Sequence, residues 1–317
     1  MPMSLELVEA DPEGGFHHPY FLAVPETTHD RAAILVEPTN MPGPTDDVAA
    51  HLAEARRRAA GGFGRRVAAE LGVPFLHPVF PRPATAPVDW THYTHQLDAE
   101  TLSIREGPLA RIDRQLRRMV ADARARLAND SVAVRERFLL NGFSASGTFA
   151  NRFAALHPEA VLAVTAGGFN GMAILPEVEA EVPVEALSPR RLEYPVGVAD
   201  LEELTGEPFD IEAFRRVTQF LYLGADDDND PLLYPDAWTA PEIRATAVLV
   251  YGEDIHEERL PRCRESYEAA GVDAVFRRYH GVGHDPGPAF DDVVTVHRNR
   301  LAGAPFEAIA DAVGPTD

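Results

Sequence analysis

The stretch FLLNGFSASGTFANRFAALHPE, residues 138–159, decides the fold. It opens on Phe138-Leu139-Leu140, a short apolar run suited to a buried strand, and closes on Phe149, Ala150, Phe153 and Ala154, which share one face of a helix. Between the two, Gly142-Phe143-Ser144-Ala145-Ser146-Gly147 has to turn the chain sharply. A serine held in such a turn needs small residues two before and two after it, because the chain folds back on itself; Gly142 and Ser146 meet that need. The turn presents the Ser144 hydroxyl above the sheet. It also puts the Ala145 N–H at a helix N-terminus, where a developing oxyanion is stabilised. Ser144 is therefore the candidate nucleophile. An ordinary tight turn is the plainer alternative, and Ser146 is a second candidate whose neighbours fit the turn less well.

Outward from this stretch, apolar runs at 20–24, 32–36, 73–80, 137–140, 160–165, 219–223 and 275–279 alternate with helical patterns. That alternation predicts an α/β fold: a mostly parallel central sheet flanked by helices. Leu109, Ile112, Leu116, Met119, Val120, Ala123 and Leu127 form one helical stripe, read as core packing, with Arg111, Arg114, Arg117, Arg118, Arg124 and Arg126 on a solvated face. An earlier helix is capped by Thr45-Asp46-Asp47 and broken at Gly61-Gly62, and a shorter one ends at Gly72. From about residue 169 to 216, prolines spaced among acids replace the strand and helix pattern. This segment reads as a lid-like excursion over one end of the sheet, within a single domain spanning 1–317. Whether residues 247–250 are strand or helix stays open.

The chain of 317 residues is 45% apolar, enough to bury a core, and carries 50 Asp+Glu against 29 Lys+Arg, a net charge of −21. No basic excess exists to replace counterions around phosphates, so nucleic acid is not an expected partner. Every one of the 29 cations is arginine, and an acidic surface without lysine is the bias of proteins that work in high salt. The acidic N-terminus, the absence of a long apolar run and the single Cys263, which has no disulfide partner, predict a cytoplasmic protein that does not enter a membrane.

With NGFSASG as the turn and HGVGHDPG near the C-terminus, the sequence resembles the α/β-hydrolase fold superfamily, in particular its serine esterase and depolymerase-like branch, over roughly residues 17–303. The resemblance implies a Ser-acid-His triad in that chain order. His284, in the turn Gly281-Val282-Gly283-His284 after the last strand, is the base, and His280 is the weaker candidate at the strand end. Three acids compete. Asp227 stands three after Gly224, where the superfamily often carries its triad acid; Asp254 follows Tyr251-Gly252-Glu253 at a chain separation closer to the usual one; Asp230 is third. The second oxyanion donor is expected in the loop after the third strand, at Thr39 or Asn40, beside Ala145.

Trp90, Tyr93 and Phe143, with Phe169 and Met172 from the lid, suggest an apolar or aromatic acyl pocket. His92 and His95 have metal-like spacing but no further ligands, and a polar pocket wall is the reading given to them. Asp226, Asp228 and Asp230 alternate like a calcium loop that Pro231 and Ala237 spoil, so no metal and no cofactor is expected. The expected reaction is hydrolysis of a small-molecule carboxylic ester through an acyl-enzyme. A catalytically silent ligand-binding protein and an amidase or peptidase with the same triad are the alternatives, and no oligomeric state follows from the residues.

Overall fold

The structure, a computed structural model, describes residues 2–30, 32–85, 94–233 and 240–314. Its strands are β1 (Glu6–Val8), β2 (Tyr20–Ala23), β3 (Leu35–Val36), β4 (Phe75–Pro78), β5 (Phe138–Phe143), β6 (Val161–Gly167), β7 (Glu179–Ala180), β8 (Arg190–Arg191), β9 (Thr218–Gly224) and β10 (Ala274–Tyr279). Eight of them make the main sheet in the order β1-β2-β4-β3-β5-β6-β9-β10. β2 runs against both β1 and β4, and all other neighbours are parallel. Parallel strands need crossover helices, and these cover both faces.

The two-residue alternation of each strand sorts its side chains between two cores. Phe138 and Leu140 of β5 and Leu221 and Leu223 of β9 join the core under helices Ile112–Asn129, Ala145–Leu156 and Leu260–Ala270. Leu139, Phe220 and Tyr222 join the opposite core, under helices Val48–Gly61, Phe63–Leu71 and Phe290–Ala302. Both faces being buried, the strands read in sequence as unbroken apolar runs.

The caps fall where the sequence puts them. Asp47 Oδ1 accepts from the Ala49 and Ala50 N–H groups at 2.9 and 3.3 Å, and Gly72 ends its helix with φ 66°. One strand is new, one open question closes, and one expectation changes. Edge strand β1 is too short to stand out in the sequence. Residues 247–250 belong to helix Pro241–Tyr251, because β10 pairs directly with β9 and leaves no slot between them. Arg111 is not on a solvated face: it precedes its helix with φ 47°, is buried, and donates twice to Asp113, at 2.8 and 2.6 Å.

Residues 169–216 add no strand to the main sheet. They hold the β7/β8 hairpin and helices Leu201–Thr205 and Ile211–Arg215, and Tyr251 pins them by donating to the carbonyls of Ala173 and Val196 at 2.7 and 2.9 Å.

A polar chain crosses the sheet beneath the turn at Ser144. Asn141 of β5 donates through Nδ2 to Glu37, just past β3; Thr165 of β6 donates to Asn141 Oδ1 at 2.7 Å and accepts from His297 Nε2 at 2.9 Å. Burial pushes the Glu37 carboxyl up to about 7, against the opposing pull of the Arg58 charge and the Asn141 and Gly64 hydrogen bonds. The folded protein thus holds a proton on Glu37 that the unfolded chain releases at lower pH, so this residue makes stability fall as pH rises from about 4.5 to about 7. Glu37→Gln, which keeps the shape and removes the ionisation, is expected to unfold at a higher temperature than wild type at pH 8 and to lose most of that advantage at pH 5. Equal differences at both pH values would show that Glu37 does not carry the effect.

Candidate active site

Ser144 has φ 62° and ψ −132°, a conformation that costs a non-glycine residue energy and persists only where its surroundings fix it. The fixing contacts surround it. The Ser144 N–H donates to Gly167 O of β6 at 2.8 Å, and its own carbonyl accepts from Thr148 N–H at 3.0 Å. Ser146 Oγ donates to Phe143 O at 2.9 Å and accepts from Phe143 N–H at 3.0 Å, while Asn40 Nδ2 donates to the same Phe143 carbonyl at 3.0 Å. Ser146 is buried, with its hydroxyl inside the turn, so it serves as scaffold. A Cβ on Gly142 would lie 2.0 Å from Ser146 O, and one on Gly147 would lie 2.4 Å from Gly167 O. Ala145 opens helix Ala145–Leu156, so its N–H is one of those a helix leaves without an internal acceptor.

His284 reaches the same end of the sheet by a similar close approach. Gly224 closes β9, and a Cβ there would lie 2.1 and 2.2 Å from the Val282 and Gly283 carbonyls. The bare glycine lets the two loops touch, and Asp226 N–H donates to Val282 O at 2.9 Å. Asp227, 3% exposed, follows in this turn, and its Oδ2 lies 2.8 Å from His284 Nδ1. An ionised carboxylate only accepts, so Nδ1 carries the proton and Nε2 presents its lone pair. That lone pair accepts from Asn229 Nδ2 at 3.1 Å. The imidazole leans on Phe143, with ring centroids 4.7 Å apart, and its Cε1 would lie 2.9 Å from a Cβ on Gly168. Ser144, Asp227 and His284 thus share one end of the sheet, although among the described residues no hydrogen bond joins Ser144 Oγ to the imidazole.

The other candidate acids are used elsewhere. Asp254 is exposed and caps the next helical turn, accepting from the His256 and Glu257 N–H groups at 2.8 and 2.7 Å, which hold its carboxyl below the usual range. Asp230 pairs with buried Arg259 at 2.7 and 2.9 Å. Thr39 is buried and its hydroxyl donates to Met41 O at 2.8 Å, shaping the loop expected to supply the second oxyanion donor. His280 sits in the turn just past β10. His95 is not a pocket wall: it is buried, with its ring 3.1 Å from Phe80 O and edge-on to His51, because the chain after residue 94 folds back into the core. Trp90, His92 and Tyr93 lie outside the described residues. Cys263 is buried and its thiol is pushed up to about 12. No group of three metal-ligating side chains occurs among the described residues, and no helix among them is long and apolar enough to cross a membrane.

Asn229 is the neighbour of His284 that the sequence reading missed. Its only signal is the spacing Asp227-x-Asn229, which lets Asp227 Oδ1 accept from the Asn229 N–H at 3.1 Å and so swings the amide toward His284. Beside the site lies a pocket lined by Gln96, Thr148, Arg152, Phe169, Asn170, Met172 and Pro231, among others.

No protein-family profile and no curated protein matches the chain by sequence. Among solved structures it is similar to poly(aspartic acid) hydrolase-1 from Sphingomonas sp. KT-1, with 15% identity over 91% of this chain and 97% of that one and a TM-score of 0.54. It is also similar to LpqC, a poly(3-hydroxybutyrate) depolymerase from Bordetella parapertussis, with 18% identity, 99% and 94% coverage and a TM-score of 0.52. An S-formylglutathione hydrolase from Agrobacterium tumefaciens shares 15% identity over 94% and 95% of the two chains, again with a TM-score of 0.52. With the strand order above, these likenesses establish the α/β-hydrolase fold.

The steric account of the turn separates two glycines. Gly142→Ala is expected to lower stability by about 3 kcal/mol or more, because the added methyl meets backbone that cannot move aside. Gly61→Ala, at the end of helix Val48–Gly61 with nothing within 4 Å of the added Cβ, is expected to be neutral or stabilising. Denaturant unfolding of the pair measures this, and similar midpoints for both variants would contradict the crowding at Gly142.

Proposed function

We propose that the protein is a serine hydrolase that cleaves a small-molecule carboxylic ester through an acyl-enzyme intermediate. The observation that carries the reading is the 2.8 Å contact between buried Asp227 and His284 Nδ1, which leaves Nε2 unprotonated and able to act as a base at the end of the sheet that carries the strained serine turn. Ser144 Oγ attacks the acyl carbon as its proton passes to Nε2, and the Asp227 carboxylate keeps the imidazole in that tautomer and stabilises the imidazolium. The Ala145 N–H, with a backbone N–H from Thr39 or Asn40, holds the oxyanion. The imidazolium protonates the leaving alcohol, and a water deprotonated by the same nitrogen then releases the acid. The excursion over residues 169–216 forms one wall of the substrate pocket and acts as its cap. The hydrolase and depolymerase names of the structural neighbours agree with this reading.

One observation favours a second reading, a silent ligand-binding protein: Nε2 already accepts from Asn229, and Ser144 Oγ makes no hydrogen bond to it. In the hydrolase reading the Asn229 amide yields Nε2 to the serine hydroxyl when substrate enters. Asn229 is itself exposed.

Hydrolysis of p-nitrophenyl esters by four proteins distinguishes the readings. Ser144→Ala is expected to lower kcat by a factor on the order of 10⁵ to 10⁶. Asp227→Asn is expected to lower it by about 10⁴, through the wrong tautomer. Asn229→Ala should change kcat by less than about tenfold, since that amide is not asked to stabilise the transition state. No ester hydrolysis by the wild type above buffer supports the silent protein, and full activity in Ser144→Ala removes Ser144 from the mechanism.

A further inference from the structure

Three arginines are buried among the described residues, and two of them have carboxylates: Arg259, 0% exposed, pairs with Asp230, and Arg111 pairs with Asp113. The third, Arg152, is 7% exposed and forms no ion pair with another described residue. Its Nη1 donates to Gln96 O at 3.1 Å, its guanidinium lies 6.0 Å from the Tyr194 ring centre, and its Nε is buried without a partner. Burying a guanidinium without a counter-charge is costly, which is why buried cations are normally paired. The position of Arg152 explains what offsets that cost. It lines the pocket beside the proposed nucleophile, and so does Asn170, whose side-chain oxygen is also buried without a partner.

This pocket is lined by residues that neighbour the proposed site along the chain. Ser144, Thr148 and Arg152 are spaced by four residues along one helix, so about 12 Å of helix rise separates the first Cα from the last. Long helical side chains tend to lean back toward the helix N-terminus, the direction in which Ser144 lies from Arg152. Phe169 and Asn170 directly follow Gly168, which touches His284, and Pro231 stands four residues past Asp227 in the same loop. Asp98, the acid on the pocket wall, caps helix Ala99–Ser103 by accepting from Thr101 N–H at 2.7 Å; its charge favours the Arg152 cation from a distance, without the direct two-point contact that Arg259 and Arg111 have.

We propose that Arg152 is the recognition residue for a free carboxylate carried by the substrate several bonds from the scissile ester, so that the preferred substrates are monoesters of dicarboxylic acids or esters of carboxylate-bearing alcohols. This rests on the ester-hydrolase reading of the same site. A planar guanidinium with unused donors fits a carboxylate in two-point geometry, and the enclosed site strengthens the pairing. On a surface this acidic, a buried cation beside the site also rejects neutral esters by leaving itself unpaired.

The test compares kcat/KM for two matched pairs: monoethyl adipate against ethyl hexanoate, with the carboxylate on the acyl part, and acetoxyhexanoate against hexyl acetate, with it on the alcohol. In at least one pair the wild type is expected to prefer the carboxylate ester by about tenfold or more, equal to about 1.4 kcal/mol. Arg152→Gln should bring that ratio close to one, and Arg152→Lys should restore part of it. The pair that shows the preference identifies which side of the ester the carboxylate occupies. Hydrolysis of the neutral esters with no preference in either pair overturns the carboxylate site and leaves the hydrolase reading standing. If no ester is hydrolysed the hydrolase reading fails, and calorimetric titration with adipate then decides the carboxylate site: saturable binding to the wild type supports it, and no binding ends it. Should Arg152→Gln fail to fold, the wild-type ratios and the adipate titration decide alone.

Discussion

The structure depends on the close approach of helix Ala145–Leu156 to the ends of β5 and β6 at the turn after Phe143. Gly142 and Gly147 carry no Cβ where the Ser146 and Gly167 carbonyls stand, and this lets the chain reverse tightly enough to leave Ser144 at φ 62°. The strain is held by the Ser144 N–H on Gly167 O and by the Ser146 hydroxyl, which bridges both backbone groups of Phe143. A strained serine above a sheet is thus a product of a helix packed against two strand ends without side chains between them, and that helix supplies its N–H groups as a consequence of the same turn.

The same economy appears on the acid side. Gly224 permits contact between the Asp227 loop and the His284 turn, and Gly168 leaves room for the imidazole edge. Beneath the turn, the chain from Glu37 through Asn141 and Thr165 to His297 satisfies polar groups inside the sheet and ties the loop carrying Thr39 and Asn40 to the strand carrying Ser144. A buried network of this kind fixes geometry because each member has few alternative partners.

Much of this was legible in the residues. The strand runs, the helix caps at Asp47 and Gly72, and the small residues around Ser144 are local demands of backbone geometry, and local demands show in sequence. Asp227 was separable from Asp254 by its register after Gly224 more than by its distance from His284, because a turn sets where a carboxylate points. What did not show depends on tertiary placement. The helix at residues 241–251 is apolar enough for a strand and is excluded only because β9 and β10 are neighbours. Arg111 and His95 are polar residues whose burial follows from partners far along or across the chain. Asn229 has only a spacing and Arg152 no motif: one is defined by the nitrogen it touches, the other by having no direct carboxylate contact among the described residues.

The central claim is that Ser144 is an activated nucleophile served by His284, and reaction with a fluorophosphonate probe tests it most directly, because only a serine with an effective base reacts at micromolar probe concentrations. The account predicts one adduct per chain, mapped by peptide mass spectrometry to Ser144 and lost in His284→Ala. A folded wild-type protein that takes up no probe, or takes it up on another residue, would contradict it.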